Sequence, residues 1–451
     1  MSDGNHEVIT QVERVSALGT VTGPMAPFFE PGHALQRLVP ASWTGICDAL
    51  SVYDINLQFN QSSDPDDPRS VFRLDYSSLL GPGMDLLMPT AGAYLCWPGR
   101  NRVVLPTRTD RTIVRYMQDM GFLGEVVYHE GMAAITVGQR AAGRRTYSID
   151  DMGPDADDVA ANSLRDMTIG NSKEMVAELS AWAAPEIRKD MFEVTEADFE
   201  AAHRPGRRVF VKTCNTESAG EGIYPVADLA EFTEALEGIR ATTRRYDLNP
   251  LLVIQPELVG TNKSFQIFLY PDGRPEIPVV ALTDQLIGAD GKKYAGSVNH
   301  HVTRERLEVV GPAIIDMVDR LRGLCPDAVG FLMCDYFEAP DGTVAIYDPG
   351  LRPSGNTGAA MVKRWVEEAS GHYAAVTQAS WLDFGRDGMT YAEVAERLGE
   401  WADPDFIIAN RLGALPRGHN HIQGKSRFIV ITPRHEDYPG MLQAIEDRIR
   451  D

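Results

Sequence analysis

The stretch Cys334-Asp335-Tyr336-Phe337-Glu338-Ala339-Pro340-Asp341-Gly342-Thr343-Val344-Ala345-Ile346-Tyr347-Asp348-Pro349-Gly350-Leu351-Arg352 decides how this chain is read. Pro340-Asp341-Gly342 is a turn signal between two β-prone runs, so the segment predicts a hairpin. Folding about that turn brings Asp335 and Asp348 side by side on adjacent strands. Two converging carboxylates with no protein cation between them repel unless a hard divalent ion lies there, and Mg²⁺ takes one or two carboxylates plus phosphate oxygens. Either acid alone also fits a solvated strand end. Asp335, however, lies inside the apolar run 329–337, where an unpaired carboxylate is expensive.

Upstream, Arg208-Val-Phe-Val-Lys212 leads into Thr-Cys-Asn-Thr-Glu-Ser218-Ala-Gly220-Glu-Gly222-Ile-Tyr224. The pattern is a strand ending in lysine followed by a loop of small residues. Glycines let backbone N–H groups approach a phosphate, and a lysine fixed at the strand end adds positive charge beside them. Taken alone the segment fits an ordinary strand-turn with a surface lysine better, because strand-glycine-turn patterns are common. Leu251-Leu-Val-Ile-Gln255-Pro256-Glu257-Leu258 is a hydrophobic strand stopped by proline, which leaves backbone groups free to read an adenine edge, with Glu257 able to accept from ribose hydroxyls. An edge strand ending at proline fits the segment equally well in isolation. In Gly170-Asn-Ser-Lys173-Glu174, Asn171 or Ser172 can cap a helix with apolar positions Val176, Leu179 and Ala183. Lys173 then occupies the first turn, a poor place for a cation unless an anion faces it.

Further outward, residues 54–61 alternate as a half-buried strand, and 103–106, 110–122 and 125–128 read as a β-α-β unit, which suggests a parallel sheet. The acidic segment 150–158, carrying Gly and Pro, interrupts both periodicities. Leu229, Phe232, Leu236 and Ile239 form one helical stripe, and Leu307, Val310, Ile314, Val318 and Leu321 another. Strands are expected at 209–212, 251–255, 264–270, 330–337 and 343–347. The last part repeats the mixture, with helices at 391–401 and 438–449 about a strand at 427–432.

The whole chain has 451 residues, 43% hydrophobic and 24% charged, and a formal net charge of −21. That composition is globular and multidomain, and the acidity argues against nucleic acid or an anionic membrane surface as partner. The scattered cysteines Cys47, Cys96, Cys214, Cys325 and Cys334 have no metal-ligand spacing, the first residues lack a basic and apolar leader pattern, and no run approaches a membrane span. A cytoplasmic protein is expected. Gly418-His-Asn-His-Ile-Gln-Gly-Lys-Ser426 imitates a phosphate loop but has one residue too many between its glycines and leads into a strand. His300, His301, His419 and His421 lack ligand spacing and read as solvated loop histidines.

In this order the four segments resemble the ATP-grasp superfamily of carboxylate–amine ligases over residues 165–370. The resemblance implies an α/β fold with α+β elements: a pre-ATP-grasp α/β domain at 1–160, an ATP-grasp domain at 161–370 and a small C-terminal α/β domain at 371–451. It implies that ATP phosphates meet Lys173 and Lys212 under a mobile loop with Ser218, Gly220 and Gly222. Gln255, Glu257 and Leu258 would hold adenosine, Asp335 and Asp348 would bind Mg²⁺, and Arg352 would address a substrate carboxylate or acyl phosphate. Two positions depart from the pattern. Gly350 stands where the family has a metal-binding asparagine, and Met333 stands where some ligases have an arginine, so Lys292 or Lys293 is expected to supply charge.

Within the superfamily the layout is most similar to peptide ligases of the pheganomycin type. That implies activation of a non-proteinogenic amino-acid carboxylate and its coupling to a peptide amine in antibiotic biosynthesis. The segments 294–301 and 353–358 would line the substrate cleft, and a homodimer is the commonest assembly. A small-molecule kinase and a non-catalytic ATP-binding module use the same nucleotide site and remain alternatives.

Overall fold

A computed structural model describes residues 27–56, 101–106, 111–119, 121–129, 131–148, 152, 154–214, 222–246, 249–287, 294–379, 382–383, 389–420 and 425–450. Among them the strands form three sheets. In the first, Asp54–Asn56 lies between Val103–Pro106 and Thr146–Ser148, with Val126–His129 outside Val103–Pro106, all parallel. Helix Arg111–Asp119 supplies the crossover of the expected β-α-β unit. The described part of the 54–61 strand is not half-buried as its alternation suggested. Asp54, Ile55 and Asn56 are all buried, as a central parallel strand covered on both faces must be. Asp54 is tolerated there because Arg102 Nε and Arg144 Nη1 each donate to it at 2.8 Å and Gln139 Nε2 at 2.7 Å.

The second sheet is antiparallel, in the order Ile187–Asp190, Leu251–Pro256, Val209–Thr213, Ile223–Val226. On one face Ile187, Val209, Val211, Leu252 and Ile254 pack against the predicted stripe of helix Leu229–Tyr246. The register puts Lys212, Val253 and Arg188 in one cross-strand row and Gln255 and Phe210 in the next, on the opposite face from that core.

The third sheet has ten strands. Val344–Gly350, Gly330–Glu338, Thr261–Leu269, Ile277–Ile287, Tyr294–His300, Ala375–Gln378, Lys425–Thr432 and Leu382–Asp383 follow one another, while Leu38–Pro40 pairs with Ile277–Ile287 and Gly413–Asn420 with Lys425–Thr432. The sheet therefore runs through position 371 without a break, since Ala375–Gln378 pairs with Tyr294–His300. Residues beyond 379 still gather a cluster of their own around Leu398, Phe428 and Ile445. Helix Arg304–Leu324 buries its expected stripe against Phe265, Ile267 and Leu332. The 391–401 helix ends earlier than expected, at Leu398, where Gly399 at φ 55° turns it into a 3₁₀ segment, Gly399–Ala402.

The parallel sheet is fixed to the start of the strand that carries Asp335. Gly330 has φ 92°, and a Cβ there would lie 2.2 Å from the Tyr147 ring. Phe331 N donates to the Tyr147 hydroxyl at 3.0 Å, and Asn162 bonds both the N–H and the carbonyl of Val329. Among the described residues no helix is long and apolar enough to cross a membrane.

Candidate active site

The hairpin forms as predicted, from Gly330–Glu338 and Val344–Gly350, with Asp335 directly opposite Asp348 and a slip in the ladder immediately after Asp335. Asp335 Oδ1 is shut off from solvent and has no hydrogen-bond partner. Burial, and then the neighbouring Asp348 carboxylate, push the Asp335 pKa to about 7, while a hydrogen bond to Gln285 and the charges of Lys173 and Arg352 pull it down.

Lys173 reaches this pair from the other side of the chain. The Ser172 hydroxyl accepts from Glu174 N at 3.3 Å and caps a 3₁₀ turn, Lys173–Met175, followed by one α turn, Val176–Leu179. The helix is shorter than expected and excludes Ala183. Ala181 N is captured by Asp316 at 2.7 Å, and Ala183 bridges to Ile346, so the segment lies along the hairpin's outer strand instead. Close approach depends on Gly170. A Cβ there would sit 2.4 Å from Leu351 Cβ, and Leu351 N donates to Gly170 O at 3.1 Å. Lys173, 4% exposed, thus puts its Nζ 3.4 Å from Asp348 Oδ1. The anion expected beside Lys173 is, in this state, Asp348. The premise that no protein cation stands by the acids is corrected accordingly.

Lys212 enters from the second sheet, also 4% exposed, with Nζ 4.9 Å from the centre of the Tyr347 ring. Burial draws its pKa down to about 8, against the opposing pull of Asp348 and with the help of Lys173. Two lysines and two carboxylates from separate segments thus meet between the faces of two sheets. Among the described residues no group of three or more His, Cys, Asp or Glu side chains could hold a metal ion.

Gly222 opens the strand Ile223–Val226, its carbonyl accepting from Thr213 N at 2.9 Å. Ser218, Gly220, Lys292 and Lys293 lie outside the described residues. Gln255 is buried with Nε2 unpartnered, and Leu258 follows on the exit loop. Glu257 is engaged by Arg208, whose backbone N donates at 3.0 Å, Nε at 3.1 Å and Nη2 at 2.8 Å. Burial raises the Glu257 pKa, but these bonds outweigh it and hold the carboxyl below its usual range. Any ribose hydroxyl there would share the carboxylate with Arg208. Arg352 ends the hairpin two residues beyond Gly350, and its charge acts on Asp335.

The two departures from the family pattern form a single cross-strand pair, Met333 opposite Gly350. A Cβ on Gly350 would lie 3.0 Å from Met333 Sδ, so the thioether occupies the space that a larger side chain would need.

Sequence reasoning missed the polar floor beside Asp335. Ser264, opposite Asp335, shares a hydrogen bond with Thr283, and Gln266, opposite Met333, accepts from Thr357 Oγ1 at 2.8 Å. The expected cleft segment 294–301 is mostly strand, Tyr294–His300, not loop. It does meet the 353–358 turn, through reciprocal amide bonds between Asn299 and Asn356 at 3.0 and 2.8 Å. Polar residues at alternate positions of apolar strands were the available signal. His300 is not a solvated loop residue either. It ends a strand with Nε2 2.8 Å from Asp284 Oδ2, and its ring packs against His435. The described residues of the imitation phosphate loop, 418–420 and 425–426, belong to the paired strands Gly413–Asn420 and Lys425–Thr432 and to no helix.

No family model and no curated protein matches the sequence. Solved structures do. The N5-carboxyaminoimidazole synthetase of Staphylococcus aureus, complexed with ADP, superposes with a TM-score of 0.52 at 11% identity, covering 81% of this chain and 95% of its own. The biotin carboxylase of Campylobacter jejuni gives 0.54 at 8%, covering 88% and 94%. The L-amino acid ligase of Bacillus licheniformis gives 0.50 at 11%, covering 88% and 97%. These neighbours have the ATP-grasp fold, and the chain shares it.

Proposed function

We propose that the protein is an ATP-dependent ligase that activates an amino-acid carboxylate, of a non-proteinogenic type, as an acyl phosphate and joins it to the N-terminal amine of a peptide, in the biosynthesis of a peptide natural product. The observation that carries this reading is the meeting of Lys173, Lys212, Asp335 and Asp348 between two sheets of an ATP-grasp fold. An L-amino acid ligase among the neighbours supports the amino-acid half of the reading.

The residues fit a divalent cation. Asp335 Oδ1 is buried without a partner, and its carboxyl is opposed by a second one, a donor set suited to Mg²⁺ shared with phosphate oxygens. Asp335 and Asp348 would hold the ion, which when bound supplies charge neutralisation to the transferring phosphoryl group. Lys173 and Lys212 face the same phosphates. With an anion bound, Lys173 gains a partner besides Asp348, and Lys212 is held in its charged form. Arg352, beyond the acids, orients the substrate carboxylate with its planar guanidinium.

A carboxylate oxygen then attacks the γ-phosphorus as the bond to ADP breaks. The peptide amine attacks the acyl carbon, phosphate leaves with the C–O bond electrons, and the nitrogen gives up its proton. Catalysis is positioning and charge stabilisation, with no protein nucleophile.

The test is a screen of amino-acid and peptide pairs for ATP-dependent mass addition, with hydroxylamine present in parallel. A hydroxamate identifies the acyl phosphate. Phosphorylated hydroxyl product without hydroxamate would instead establish a kinase, and nucleotide binding without ADP release a non-catalytic module. Lys212→Ala and Asp348→Ala are expected to abolish turnover while leaving the fold intact.

A further inference from the structure

One carboxylate beside the nucleotide face is used by neither the sequence reading nor the mechanism above. Glu186 immediately precedes Ile187, whose cross-strand partner is Ile254, so it stands at the level of Gln255. Both belong to the side of the small sheet that carries Lys212, opposite the Val211 and Ile254 core. The Glu186 side chain is 6% exposed, and its Oε1 is buried with no hydrogen-bond partner. Arg188 Nε stays 3.7 Å away, beyond hydrogen-bond reach. Burial raises the Glu186 pKa, and the charges of Lys212 and Arg188 lower it. Gln255, 4% exposed, leaves Nε2 equally unpartnered. A buried acceptor and a buried donor, both unsatisfied on one face, are costly to keep unless a ligand completes them.

We propose that Glu186 and Gln255 select the base of the nucleotide, Glu186 Oε1 accepting from an exocyclic amine and Gln255 Nε2 donating to a ring nitrogen. Adenine offers this combination, an N6 amine beside an N7 acceptor, whereas guanine and hypoxanthine present O6 and N7, two acceptors, on the same edge. A carboxylate facing O6 is repelled, so Glu186 acts as the discriminating residue and Gln255 as its companion. The assignment rests on the ATP reading given above and adds to it the residue that distinguishes the bases.

Calorimetric binding to the full-length protein decides the matter, with ADP, purine riboside 5′-diphosphate, which lacks the 6-amine, and IDP as probes. Wild type is expected to prefer ADP about tenfold over the purine nucleotide, the usual scale for one hydrogen bond to a charged group. Glu186→Ala should bring the two within about twofold. Glu186→Gln keeps a carbonyl acceptor but can turn its amide toward O6. It should retain the preference for ADP over the purine nucleotide while narrowing the gap between ADP and IDP severalfold.

Equal weakening of all three ligands in Glu186→Ala would show that Glu186 acts through Lys212 or Arg188 and would overturn the proposal, leaving the ATP site intact. An unchanged ADP to IDP ratio in Glu186→Gln overturns it as well, and serves if the alanine variant does not fold. If wild type binds none of the three, the ATP reading itself fails and this assignment with it.

Discussion

Replacing Asp335 by asparagine in the metal-free protein should stabilise it, and by more at pH 8 than at pH 5. The folded pKa of Asp335 is raised from 3.8 to about 7, by burial first and by Asp348 second. A raised folded pKa means that the native state holds the proton more tightly than the unfolded chain. The stability contributed is therefore fully present below pH 3.8 and is lost as pH rises through about 7. At about 1.4 kcal/mol per unit, the wild type loses about 2 to 3 kcal/mol through this group between pH 5 and pH 8. Asparagine carries no charge to bury and still offers Gln285 an oxygen, so the variant escapes that loss. Urea unfolding in the presence of EDTA at the two pH values measures the difference, and millimolar Mg²⁺ at pH 8 should raise the wild-type midpoint more than that of the variant. If wild type and Asp335→Asn keep parallel profiles from pH 5 to pH 8, the two carboxylates are not opposed in the way described, and the argument for a divalent cation between them fails.

Lys212, with its pKa drawn from 10.5 to about 8, should take up a proton when ADP binds near pH 8.5, because the phosphates favour its charged form. Calorimetry in buffers of different ionisation enthalpy reads that uptake directly, and Lys212→Met should abolish it. The depressed value also fixes the sign for stability. This group's contribution is fully present above pH 10.5 and is lost as pH falls through about 8. Gly170→Ala places a Cβ 2.4 Å from Leu351 Cβ and should cost about 1 to 3 kcal/mol. It should also weaken ADP binding, since the strand end would be pushed away from the turn carrying Lys173. Gly330→Ala adds a left-handed backbone to a 2.2 Å clash with the Tyr147 ring and should lower the melting temperature further.

Much of this architecture is written locally. The stripes of the helices Leu229–Tyr246 and Arg304–Leu324, the Pro-Asp-Gly turn of the acidic hairpin and the Ser172 cap can each be read within a window of residues, because periodicity and turn chemistry act over that range. What escaped the sequence depends on partners far along the chain. No local signal announces that Ala375–Gln378 will add to Tyr294–His300, that Arg208 will engage Glu257, or that Asp284 will hold His300. The Met333 and Gly350 pairing is of the same kind. Each residue looks like a separate departure from a motif until the register sets one against the other, when the two become a single packing solution.

The charge distribution combines both scales. A chain of net charge −21 repels a triphosphate at long range, so attraction must come from within about a Debye length, ~8 Å at physiological salt. Lys173 and Lys212 meet that need only because each is almost fully buried beside an acid, where weak screening strengthens the local field. The same burial destabilises the charged form of Lys212 and the ionised form of Asp335. Without ligand the cleft is therefore electrostatically strained in both directions. A single partner carrying phosphate oxygens and a divalent cation relieves both strains at once, whereas an anion or a cation alone relieves one and worsens the other. On that reasoning ADP and Mg²⁺ should bind with positive cooperativity in this protein, each raising the affinity for the other by the same factor. Independent binding of the two would contradict the shared origin assigned here to the shifted groups.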